Sequence, residues 1–156
     1  MHIEIWSIGK ANEPFIQEGI HYFFQKIKPY NSIELDIIPP LKKIPADIEA
    51  LKKQEEELIF KKLKPHHYLI LLDEKGKMLS SPQWAQQFQQ RMNESVKTLV
   101  LLIGGAYGVS DRVKQQARQV WALSSLVFPH QLVRLILAEQ VYRAFSIIHH
   151  SPYHHS

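Results

Sequence analysis

LLIGGAYGVSDRV, residues 101–113, is the stretch on which the fold turns. An apolar run stops at Gly104 and Gly105, Gly108 follows, and Ser110 with Asp111 carries the polar side chains that open helices. Only three other glycines occur in the chain, Gly9, Gly19 and Gly76. Such crowding marks a strand end where the backbone approaches a ligand, folds into positive φ, or makes a plain tight turn, because a β-carbon obstructs the first two and glycine suits the third.

Outward from this point the chain alternates. Residues 2–9, 33–38, 67–73, 98–104 and 123–128 read as strands. Between and after them the spacing predicts helices from Asn12-Pro14 through Ile27, over residues 46–63, from Ser81-Pro82, from Ser110 to about Val120, and from about Gln131 to His149. The stretch DEKGK, residues 73–77, reads as a turn. The central strands are apolar on both faces, so the pattern predicts an α/β fold: a mostly parallel sheet with helices on both faces. In such sheets ligands bind beyond the C-terminal strand ends. Three places then stand out: Leu72-Asp73, Gly104-Gly105, and residues 123–128.

The chain has 156 residues, and residues 1–156 read as a single domain. It contains no cysteine, which removes disulfides and thiolate metal sites and favours a reducing compartment. The first residues lack the pattern of a signal peptide, and no uninterrupted apolar window is long enough for a membrane span, so a cytoplasmic location is expected. Of the net charge of +4, all lies in the last part of the chain: residues 112–156 carry Arg112, Lys114, Arg118, Arg134 and Arg143 against Glu139 alone. Five of the nine histidines lie there too. This suits an anionic partner or an ordinary basic surface.

The glycines match neither the dinucleotide fingerprint, which needs G-x-G-x-x-G and a later acid, nor a phosphate-cradling P-loop. Metal is not expected. The pairs His149-His150 and His154-His155 are sequence neighbours, which do not face one another on a helix.

Taken together, LLIGG-x-x-G, the WxLS segment, L-x-x-PH-x-LVR, E-x-x-YRA and a terminal PYH closely resemble the RlmH-type methyltransferases of the SPOUT superfamily, over the whole chain. These C-terminal motifs are specific in order and spacing. The resemblance implies a C-terminal trefoil knot, a homodimer, S-adenosyl-L-methionine as cofactor, and methylation of N3 of a pseudouridine of large-subunit ribosomal RNA in the assembled ribosome. Transferred residue by residue, it implies a cofactor pocket of Leu72, Gly104, Leu123, Ser124, Ser125, Leu126, Val127 and Phe128. Another SPOUT enzyme acting on tRNA, or a non-catalytic RNA-binding protein of this fold, are the alternatives.

Methyl transfer to a ring nitrogen requires positioning and removal of a proton. His130, directly after the cofactor segment, is a candidate base or phosphate ligand, or a helix-capping residue. Arg134 is assigned to substrate phosphate, with Tyr142 and Arg143 further along the same helix, and Glu139 is assigned a structural part as an i, i+4 partner of Arg143. Pro152, Tyr153 and His154 are expected to complete the site across a dimer interface; the competing reading is a frayed terminus. The last helix also carries more apolar residues than one sheet face covers, with Leu132, Leu135 and Ile136 beside the stripe Val133, Leu137, Val141, Ala144 and Ile148. A second subunit or burial within one subunit accounts for them. Ser151 and His155 depart from the family's tail, which often has His before the Pro and Arg or Lys after the His.

Overall fold

The computed structural model describes residues 1–155. Five strands, β1 (His2–Ile8), β2 (Ile33–Ile38), β3 (His67–Met78), β4 (Thr98–Ile103) and β5 (Gln119–Ala122), alternate with five helices, α1 (Pro14–Ile27), α2 (Ile48–Lys62), α3 (Ser81–Asn93), α4 (Asp111–Gln116) and α5 (His130–Ile148). All strand pairs are parallel, in the order β2-β1-β4-β3-β5.

Strand alternation sorts the core into two layers. Ile3, Ile5, Ile70, Leu99, Leu101, Ile103 and Trp121 point to the face covered by α1, α3 and α5. Trp6, Leu69, Leu71, Val100 and Leu102 point to the other, covered by α2 and α4 through Ile59 and Val113. Every residue of β4 is buried, because this central strand has a helical layer on each side. The steps β1→β2 and β3→β4 run toward one edge with α1 and α3 on one face. The steps β2→β3 and β4→β5 run toward the other edge with α2 and α4 on the opposite face, so a single crossover hand is kept throughout.

Two elements differ from expectation. The fifth strand is Gln119–Ala122, and residues 123–128, whose apolar run predicts a strand, form the loop after it. α4 correspondingly stops at Gln116 instead of reaching Val120. The stretch 73–77, read as a turn, continues β3, with an irregularity between Leu72 and Lys77 where pairing to β5 resumes at Trp121. Gly76 permits this: a β-carbon there would lie 2.6 Å from the Trp121 carbonyl carbon.

α5 is held within the subunit more fully than its sequence suggests. Leu137, Val141, Ala144 and Phe145 are buried between α1, α3 and the sheet, and Leu132 and Leu135 pack against the Ile16 and Ile20 face of α1. Burial within one subunit therefore absorbs most of the apolar excess. Among the described residues no helix is long and apolar enough to cross a membrane.

Candidate active site

A cleft of about 450 Å³ opens beside residues 71–75 in the middle of β3 and the C-terminal end of β4, between the β4–α4 loop and the loop of residues 123–128. Of the eight cofactor residues predicted from sequence, Leu72, Gly104, Leu123, Ser124, Leu126, Val127 and Phe128 line it; Ser125 lies in the same loop but not on the wall. Leu71, Ile103 and Val133 add apolar wall, and Ser124 Oγ accepts from Leu126 N at 3.0 Å, which shapes the loop. Volume and lining suit a small ligand held by apolar walls and backbone groups. A nucleoside-type cofactor fits this lining.

The three clustered glycines serve three different purposes. A β-carbon on Gly104 would meet Val109 Cγ1 at 2.8 Å, and one on Gly105 would lie 2.6 Å from Glu55 Oε1. Gly108 has open space around it but adopts φ +82°, a left-handed conformation that glycine alone enters cheaply. Gly108 N donates to Gly105 O at 3.0 Å and closes the turn. At Gly104 and Gly105 the protein's own packing already leaves no room for a β-carbon.

Two consecutive carboxylates of α2, Glu55 and Glu56, which no sequence motif marks, brace this turn. Glu55 is 9% exposed against Gly105, and burial raises its carboxyl above the usual carboxylate range. Glu56 accepts from Ser110 Oγ at 2.7 Å and pairs with Arg112 at 3.2 Å. Ser110 Oγ in turn accepts from Val113 N, capping α4 as its sequence predicts. Nothing in the run KKQEEELIF distinguishes these two acids from Glu57 beside them, which is exposed.

His130 lines the cleft at the start of α5, half-buried. Burial, and then the Arg134 charge, lower its imidazole below the ordinary range, opposed by a hydrogen bond with the Ile8 backbone. The imidazole is therefore neutral at neutral pH. Arg134 does not fit the phosphate assignment. It is 1% exposed, and its guanidinium donates to Ser7 Oγ at 2.7 Å and to Lys10 O and Asn12 Oδ1 at 2.8 Å. These acceptors occupy it in holding the β1–α1 connection against α5. Asn12, at the predicted start of the helix, serves that guanidinium, and Glu13 stands at the cap position of α1.

The remaining predicted residues gather near the other end of α5. Glu139 Oε1 accepts from Arg143 Nε at 2.9 Å and from Tyr153 Oη at 3.0 Å. Arg143 stacks over the Tyr153 ring at 4.8 Å, its Nη1 lies 3.3 Å from His154 Nδ1, and the Tyr142 and Tyr153 rings are 4.6 Å apart. The tail is folded back on α5, with Ser151 N donating to Ser146 O at 2.8 Å, so residues 151–154 are not frayed. Burial and Glu139 raise the Tyr153 hydroxyl above its usual range, keeping it protonated as a donor. His154 Nε2 is buried without a partner among the described residues. From His130 to Arg143 α5 rises about 20 Å, so within one subunit this cluster does not reach the cleft. The described residues also bring His2, Glu4 and Glu34 within 4.8 Å of one another, at the N-terminal end of β1, away from the cleft.

Comparison with known proteins agrees with this geometry. Residues 1–154 match a family model described as "Predicted SPOUT methyltransferase". A protein of Cytophaga hutchinsonii named "Ribosomal RNA large subunit methyltransferase H" is 42% identical over 155 residues, covering 99% of this chain and 100% of the relative. One of the same name from Flavobacterium johnsoniae is 41% identical, covering 99% of both. Among solved structures, a probable methylase family protein from Haemophilus influenzae superposes with a TM-score of 0.51 at 12% identity, over 95% of this chain and 66% of that one, a likeness of fold alone. On the full-length family match and these identities, the chain belongs to the SPOUT methyltransferase family.

Proposed function

We propose that this protein transfers a methyl group from S-adenosyl-L-methionine to N3 of a pseudouridine in large-subunit ribosomal RNA, acting on the assembled ribosome as a homodimer with a C-terminal trefoil knot. The observation that carries the reading is the convergence of Leu72, Gly104 and the 123–128 loop on one cleft, in a chain whose relatives bear a ribosomal RNA methyltransferase name over their full length. When bound, the cofactor supplies an electrophilic methyl group on a sulfonium sulfur.

The protein's own share is positioning and proton handling. Leu72, Gly104 and the 123–128 loop hold the cofactor; His130, neutral because its pKa is lowered, accepts the imide proton of the pseudouridine at a ring nitrogen. Arg143, Tyr153 and His154 form a preassembled hydrogen-bonding group that serves the cleft of the other subunit. Two measurements test the proposal. Calorimetry reports cofactor binding, and mass spectrometry of ribosomal RNA from a deletion strain, before and after complementation, reports the methylated base. Loss and return of one methyl group on a large-subunit pseudouridine is the expected result; an unchanged RNA refutes it.

A further inference from the structure

Tyr107 stands on the wall of the cleft with 58% of its surface exposed. The turn beneath it is stiff, closed by the Gly108–Gly105 hydrogen bond and seated on Glu55. One exposed aromatic is ordinary on a protein surface. This one has company: Leu126 and Val127, on the loop that forms the other side of the same cleft, are 69% and 87% exposed. Lysines from three elements, Lys52, Lys75 and Lys114, line the same cleft, where Asp73 and Glu74 are the only carboxylates among the described residues. Lys114 has no ion pair among the described residues, and Lys52 has only Glu49 at 4.0 Å.

A flat ring on a hydrogen-bonded turn, aliphatic groups across from it, and ammonium groups around them match the chemistry of single-stranded nucleic acid, which offers base faces and phosphates in alternation. We propose that Tyr107 is a stacking platform for an unpaired RNA base adjoining the methylated one, and that Lys52 and Lys114 hold the phosphates that flank it. This rests on the RNA reading above. Protein partners are disfavoured by the charge, since three lysines around so small an apolar lip leave little dry surface. The ring does not act on the reacting atoms; it sets how tightly the substrate is held.

The test uses the full chain and ribosomes from a strain lacking the enzyme. Tyr107→Ala is expected to raise KM for the ribosomal substrate roughly ten-fold or more, with kcat and cofactor affinity unchanged, while Tyr107→Phe retains wild-type KM. Lys52→Ala and Lys114→Ala should each raise KM and flatten its dependence on salt. An unaltered KM in Tyr107→Ala overturns the proposal. So does a loss of cofactor affinity in calorimetry, which would make the ring a cover for the methyl donor. Failure of the wild-type protein to methylate ribosomal RNA would instead remove the functional reading. The stacking claim is then decided by the anisotropy of a fluorescent single-stranded oligoribonucleotide, whose affinity for the Tyr107→Ala variant must fall.

Discussion

Gly105 and Glu55 are coupled through one contact, and that contact gives the glycine turn its shape. With the carboxylate 2.6 Å from where a β-carbon would sit, Gly105→Ala forces Glu55 or the turn to move. The expected cost is about 1 kcal/mol of stability, the low end for overpacking, because the crowded atoms are the far end of a flexible side chain. Adding Glu55→Ala should recover much of it, so a double-mutant cycle read by thermal unfolding has an interaction energy well away from zero. Additive losses would show that the two residues do not meet. At His130 the prediction concerns pH. Because its folded pKa is lowered, the unfolded chain binds more protons below about pH 6.5, so this residue's contribution to stability is full above that value and is lost as pH falls. His67, also lowered by burial, adds in the same sense, while Glu55, raised, has the opposite sign. The fall in Tm between pH 7 and pH 5 should be shallower in His130→Gln than in the wild type; an identical slope would contradict the assignment. The count of clustered glycines was visible in the sequence, but not what each one avoids, because Glu55 and Val109 meet them only through the fold.

The elements were legible where period and caps agreed. α2 and α3 start at Asp47 and Ser80, whose side chains accept from the Ala50 and Gln83 amides, and β4 reads as an apolar run because both its faces are covered. Legibility failed around β5. An apolar run of residues 123–128 predicts a strand, but its apolarity serves the cleft wall, whereas the true strand, QVWA, is short and begins with a polar residue. Composition cannot separate a ligand wall from a sheet core. The same limit applies to Arg134, whose place two residues from Leu132 and Ile136 leaves its direction open; the β1–α1 connection, distant in sequence, captures it. Arg134→Ala strips donors from buried Ser7 Oγ and from Lys10 O. It is expected to cost about 2–4 kcal/mol, a Tm drop of roughly 5–15 °C. A phosphate ligand would behave otherwise: Tm would hold and substrate affinity would fall. Differential scanning calorimetry together with RNA binding separates the two.

At the scale of the whole molecule the cleft and the tail cluster belong together chemically and lie apart in space. α5 separates them by about 20 Å, and the cluster is already assembled, with Arg143 in contact with Tyr153, His154 and Glu139, and Tyr153 bonded to Glu139. A rigid helix does not shorten, so the tail serves a cleft only if that cleft belongs to another copy of the chain. Removing residues 152–156 should then leave cofactor binding and dimerisation near wild type while methyl transfer falls by orders of magnitude. A chain with an intact tail but a ruined cleft, such as His130→Ala with Leu126→Asp, should also be inactive. Mixed after dissociation in equal amounts, the two chains form heterodimers in about half of all pairings, each with one complete site, so roughly a quarter of wild-type activity returns. If each tail serves the cleft of its own subunit, every site in the mixture stays defective and no activity returns. The mixture therefore decides whether one helix carries two halves of the same site to two different places.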